Sequence, residues 1–221
     1  MNTFLIILCK DLMIEWRTRA RFASMLIFGV LVVVIFYFAV GVTVSEQKTH
    51  FIPGLLWMAI LFASMIGLNR SFALEMENDA ISGLALAPTD RGFIFLGKAS
   101  STAILLFSNA VLISTCFSMG FGLSLLNIIW PYLGTCALAS IGIATLGTLF
   151  SGMTVRTSHQ EILLPILLLP LLVPVLLGAV GATTSLLIEQ ETSEKSLRLL
   201  VVSDAVYLVL SFLTFEFVLE E

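Results

Sequence analysis

Few residues in this sequence have the type and spacing to do chemistry, and the densest group is acidic. Glu75, Glu77 and Asp79 open a stretch that continues through Ile81, Leu84 and Leu86 to Pro88 and closes on Asp90 and Arg91. Carboxylates suit the positive end of a helix dipole. Ile81, Leu84 and Leu86 supply an apolar edge, and the Pro88 ring stops a helix. Two readings are open for these residues on their own. One is a short amphipathic helix over 75–87 that inserts into a partner's groove. The other is a solvated loop with ordinary charges. Neither is a catalytic arrangement.

A second stretch imitates nucleotide chemistry. Gly92-Phe-Ile-Phe-Leu-Gly97-Lys98-Ala99 nearly matches the phosphate loop. That loop needs Ser or Thr after the Lys to hold Mg²⁺, and a strand before the first Gly. Ala99 follows here, and the four intervening residues are apolar. Lys98 is expected to snorkel at the mouth of a membrane span, so any ATP must bind another chain.

The remaining candidates are scattered. Cys9, Cys116 and Cys136 show no metal or disulfide spacing and read as small apolar packers. His50 and His159 are far apart, and His50 is a conceivable outer haem ligand, because haem iron favours an axial His or Met. Trp16, Trp57 and Trp130 form no tryptophan-rich platform. No metal site and no directly bound cofactor is expected. Asn109 falls at mid-span, where a buried amide needs a partner, as an interhelical bond or a contact on a pathway. Pro165, Pro170 and Pro174 share one apolar stretch, and each removes a backbone N–H; a helix that bends in operation and a static kink are both open. Ser140, Ala144, Thr148 and Gly152 repeat every fourth residue, a ridge that lets helices approach closely. Asp204 and Glu216 are read as boundary residues that reach interfacial water.

The elements that must carry these residues follow from composition. Of 221 residues, 58% are hydrophobic and 12% charged, against about 25% charged in soluble domains. Mean hydropathy is +1.05. Lipid is the solvent that suits such a chain. The net charge of −4 offers no basic stripe for nucleic acid. Six apolar stretches near 22–44, 51–73, 94–118, 127–151, 162–187 and 198–218 approach the ~20 residues that span hydrocarbon. Residues 1–21 precede them. Within these, Leu5, Leu8, Cys9, Leu12, Met13 and Trp16 share a face opposite Lys10 and Arg17. This is an interfacial anchor helix or a helix packed on the bundle. No cleavable signal is expected, since Phe4–Leu8 is short and no basic region precedes it. With the N-terminus inside, Lys10, Arg17, Arg19, Arg21, Arg70, Arg91, Lys98 and Arg156 lie on inner segments, against Lys48, Lys195 and Arg198 outside. That eight-to-three bias puts both termini in the cytoplasm.

Phe72-x-x-Glu75-x-Glu77-x-Asp79, then Leu84-x-Leu86-x-Pro88-x-Asp90 and Gly97-Lys98, resembles the B subunit of the cytochrome c maturation system, the CcmB or haem exporter protein B family. Phe51-x-Pro53-Gly54-Leu55-Leu56-Trp57 resembles the family's second span. Leu163-Leu164-Pro165 through Pro170 to Pro174 resembles its proline-rich fifth. The likeness covers nearly the whole chain and departs at Ala85, where a Gly-x-Leu-Glu turn is expected. The resemblance implies a single all-α permease domain over 1–221 of the ABC type-2, exporter-like kind, with six spans and the 74–92 loop as a cytoplasmic coupling element. Glu75, Glu77, Asp79, Ile81, Leu84, Leu86 and Pro88 would dock there on an ATP-binding subunit (CcmA-like). It also implies haem-handling membrane subunits (CcmC-like and CcmD-like), a periplasmic haem chaperone (CcmE-like), an inner-membrane location and haem as the handled ligand. A permease for a lipid or drug, or a membrane scaffold without a transport cycle, are the alternatives.

Overall fold

A computed structural model describes residues 3–40, 51–70, 91–123, 128–154, 157, 160–189 and 191–218. These residues form seven α-helices and no strand. Helix α1 is Thr3–Thr18, α2 Ala20–Val40, α3 Ile52–Asn69, α4 Arg91–Phe121, α5 Ile129–Thr154, α6 Gln160–Thr184 and α7 Glu194–Val218. A π-turn over Ser185–Glu189 closes α6. Helices α2 to α7 are each long and apolar enough to cross a membrane. Helix is the form that lipid demands, because every backbone N–H and C=O must be satisfied within the segment.

Local chemistry sets the helix ends. Pro53 stands in the first turn of α3, where a missing N–H costs nothing. Between α1 and α2 the chain turns at Arg19, whose φ of 53° is left-handed. Glu15 secures that elbow, since its carboxylate accepts the Phe22 N–H at 2.9 Å and its carbonyl accepts the Arg19 N–H at 2.8 Å. The Arg19 guanidinium lies over the Trp16 ring, 5.6 Å from its centroid.

Helices α3 and α5 occupy the centre. Helix α3 packs against α2, α4, α5 and α6, and α5 against α4, α6 and α7. Small residues allow this. A side chain on Gly147 of α5 would collide with Leu68 of α3, and Ser151 of α5 donates to the Leu68 carbonyl at 2.8 Å. Ser140, Ala144 and Thr148 are buried, so the ridge read from sequence packs inward. Trp57, 1% exposed, ties α3 to α6 by donating to the Thr183 hydroxyl at 2.9 Å.

Helices alternate in direction, so the bundle has a basic end, where α1, Arg70 and the start of α4 lie, and an opposite end, where α5 begins. Trp16 at one end and Trp130 at the other are 78% and 82% exposed. Tryptophan at both rims marks the two headgroup layers.

Candidate functional site

At the basic end, α4 outruns the bilayer. Its 31 residues measure about 46 Å at ~1.5 Å per residue, against ~30 Å of hydrocarbon. Helix α1 lies against those first turns. Ile7 packs on Gly97, where an added Cβ would sit 3.0 Å from the Ile7 Cβ. Lys98 is buried and faces Asp11 at 3.7 Å. Ser101 donates to the same carboxylate at 3.2 Å, and Lys10 flanks it at 3.1 Å. The expected snorkelling of Lys98 is therefore corrected: α1 covers the ammonium and supplies its counter-charge. Two turns of helix over 91–98, their glycines closed by Phe212 and Ile7, are also no phosphate loop.

Helix α1 is packed on the bundle, one of the two readings open from sequence. Ile7, which is not part of the apolar face read from sequence, is the residue that docks into the bundle. Leu5, Met13 and Trp16 remain exposed on the other side, with Cys9 among them. Cys9 is thus no core packer, whereas Cys136 is buried as expected. Beneath α1, Phe95 of α4 meets Phe215 of α7 with centroids 5.2 Å apart, joined by Ile94, Ala99 and Leu149. Arg70 and Arg91 bracket the segment that holds Glu75, Glu77, Asp79, Ile81, Leu84, Leu86 and Pro88. Those seven residues, and His50 and His159, lie outside the described residues.

The second group lies at mid-depth. Helix α6 runs unbroken through Pro165, Pro170 and Pro174. A proline disturbs the carbonyls of the preceding turn, and a neighbour must satisfy them in lipid. The Tyr207 hydroxyl of α7 does so, donating to the Leu171 carbonyl at 2.6 Å in the turn before Pro174. Asn109 of α4 is buried, and its amide nitrogen has no hydrogen-bond acceptor among the described residues. The structure therefore gives that nitrogen no interhelical bond.

Sequence reasoning misplaced Asp204. It sits ten residues into α7, about 15 Å along the axis at ~1.5 Å per residue, and is 6% exposed. It is not a boundary residue. Its Oδ1 lies on the backbone of α5 at Gly142, where a Cβ would collide with it. The available signal was depth: an acidic side chain this far from either helix end cannot reach interfacial water.

Six apolar helices, a surface helix clamped at the basic end and polar groups held at mid-depth define an all-α, multi-pass membrane protein with the architecture of a permease. The particular family is equally clear. The chain belongs to the CcmB protein family, whose profile matches residues 2–220. It is 29% identical to heme exporter protein B of Pseudomonas aeruginosa over 181 residues, 82% of this chain and 80% of that protein. It is 30% identical to heme exporter protein B of Rhodobacter capsulatus over 171 residues, covering 77% and 78%. With the Paracoccus denitrificans protein of the same name it shares 29% over 185 residues, covering 80% and 84%.

Proposed function

We propose that this chain is the permease subunit of an ABC-type complex that serves haem export in cytochrome c biogenesis. Membership of a family whose relatives are named heme exporter protein B carries the reading. Haem is the cargo or a ligand handled by neighbours. ATP hydrolysis belongs to a partner ATPase, and further haem-handling membrane subunits and an outer haem chaperone complete the assembly. The basic end faces the cytoplasm of the inner membrane, as the Lys and Arg bias requires.

Residues 75–87 act as the coupling helix. They lie between α3 and α4, so a push on them is delivered to the first turns of α4, which α1 grips through Asp11 and Ile7. Closure of the ATPase would tilt α4 and α1 together, a two-state motion biased by nucleotide. Pro165, Pro170 and Pro174 let α6 yield, and Asn109 lies on the path that opens. Leu84 and Leu86 supply the contact area, worth about 1.5–3 kcal/mol each when enclosed. Exposed pairs from Glu75, Glu77 and Asp79 add about 0–1 kcal/mol each.

Co-purification of the ATPase at low and high salt tests this. Leu84→Asp should detach the ATPase, whereas Glu77→Gln should weaken it slightly and reduce its salt sensitivity. Membrane insertion is checked in parallel, and a reporter at Asp79 should lie on the ATPase side. A correctly inserted Leu84→Asp chain that keeps its full ATPase complement would remove the loop as the coupling element.

A further inference from the structure

Helix α1 turns its carboxylates inward and its apolar and basic groups outward. Ile7, Asp11 and Glu15 stand four residues apart on the inner side. Ile7 meets Gly97, Asp11 meets Lys98, and the Glu15 carboxylate accepts the Phe22 N–H at the start of α2. Leu5, Cys9 and Met13 keep the same spacing two residues out of step, which at ~100° per residue sets them on the opposite side. That side is open: Met13 and Trp16 are 71% and 78% exposed, and Cys9 is exposed between Leu5 and Met13. A helix bathed in water would face the other way.

The charge on the open side is of one sign. Arg17 and Arg19 are exposed, and among the described residues no carboxylate pairs with either. Arg19 lies over the Trp16 ring and donates from Nε to the Trp16 carbonyl at 3.3 Å, so indole and guanidinium form one amphipathic unit. Its depth is set by α2, whose 21 residues measure about 31 Å at ~1.5 Å per residue, close to the ~30 Å of hydrocarbon. Arg19 directly precedes α2 and therefore stands at the bilayer surface.

We propose that the outward face of α1 and its elbow bind anionic phospholipid in the leaflet at the basic end, with the apolar row against the acyl chains and Arg17 and Arg19 on the headgroup phosphate beside Trp16. Whatever covers this face must be apolar at its centre, anionic at its rim and present at the bilayer surface. An anionic phospholipid is all three. A zwitterionic lipid offers the phosphate but offsets it with its own cation. Bound lipid would fix the height of α1 and, through Asp11 and Lys98, of the first turns of α4. The inference goes beyond the functional reading and stands without it, since it uses only the basic end of the bundle.

The test reconstitutes the full chain in vesicles of equal phosphatidylcholine and phosphatidylglycerol, with brominated acyl chains on one lipid or the other. The Trp16 share of the emission is taken by difference from Trp16→Phe. Brominated phosphatidylglycerol should quench that share more strongly than brominated phosphatidylcholine. The preference should drop about fivefold with Arg17→Gln or Arg19→Gln, the scale of one basic residue at an anionic surface, and fall to near equality with both. Arg17→Lys with Arg19→Lys should keep it, and rising salt should weaken it. Trp130, in a stretch with no Lys or Arg between Lys98 and Arg156, should show no preference. Equal quenching of Trp16 by the two lipids, quenching by neither, the same preference at Trp130, or a preference that survives loss of both arginines would each overturn the inference. In native membranes, benzoyl-phenylalanine at Met13 should cross-link to lipid. A cross-link to protein, whether another chain or a second copy, would overturn the inference and assign the face to that partner.

Discussion

Helices α5 and α7 cross the same membrane side by side but stand differently in the protein. In α5, 67% of the membrane window is buried within the bundle, against 22% in α7. Helix α5 turns small residues inward, and its Ser151 hydroxyl reaches across to the Leu68 carbonyl of α3. Helix α7 sends Val202, Val206, Leu210 and Leu213 outward, while its deep acid, Asp204, is buried against the α5 backbone at Gly142. In lipid there is no hydrophobic force between helices, so close packing and hydrogen bonds decide which faces meet. The centre of the bundle is filled by its own helices, whereas the outward face of α7 is exposed and apolar.

The contrast can be broken at the centre first. Trp57→Ala removes a fully enclosed indole and its bond to Thr183. The expected loss is about 3–5 kcal/mol, the scale of large-to-small core changes, whereas Leu210→Ala on the outward face of α7 should stay within about 0.5 kcal/mol. Thermal unfolding in detergent reads both, and equal losses would show that inside and outside are wrongly assigned.

A smaller effect is expected at the basic end. Lys98→Met leaves Asp11 with Lys10 and Ser101. Its cost should therefore be about 1–2 kcal/mol rather than the ~3–5 expected when a buried charge is stranded. Hydrogen exchange should localise the loosening to residues 3–18, with α5 unchanged; uniform loosening would mean that α1 is part of the core rather than a clamp on it.

The smallest effect on stability is expected from Pro170→Ala. Pro170 is exposed and α6 is already continuous, so insertion, assembly and Tm should be preserved or slightly improved. Maturation of c-type cytochromes should fall nonetheless, because a straightened α6 resists bending. Full maturation would mark the proline as a static kink.

What sequence alone determined was the solvent and the number of crossings. A run of about twenty apolar residues is a local property, and lipid converts it to helix whatever its neighbours do, because the backbone must close its own hydrogen bonds. The Phe72–Asp90 and Pro165–Pro174 patterns likewise pointed to the family before any contact was known. Tertiary structure decided which faces meet. Helices that are apolar all round carry no periodicity to tell an inward face from an outward one, so Lys98 looked like a snorkelling lysine until α1 was seen lying over it, and Asp204 looked like a boundary residue until Gly142 was found beneath it. Both corrections concern charges, because in a low-dielectric bundle a charge is placed by its partner, and the partner is chosen by the fold rather than by neighbours in sequence.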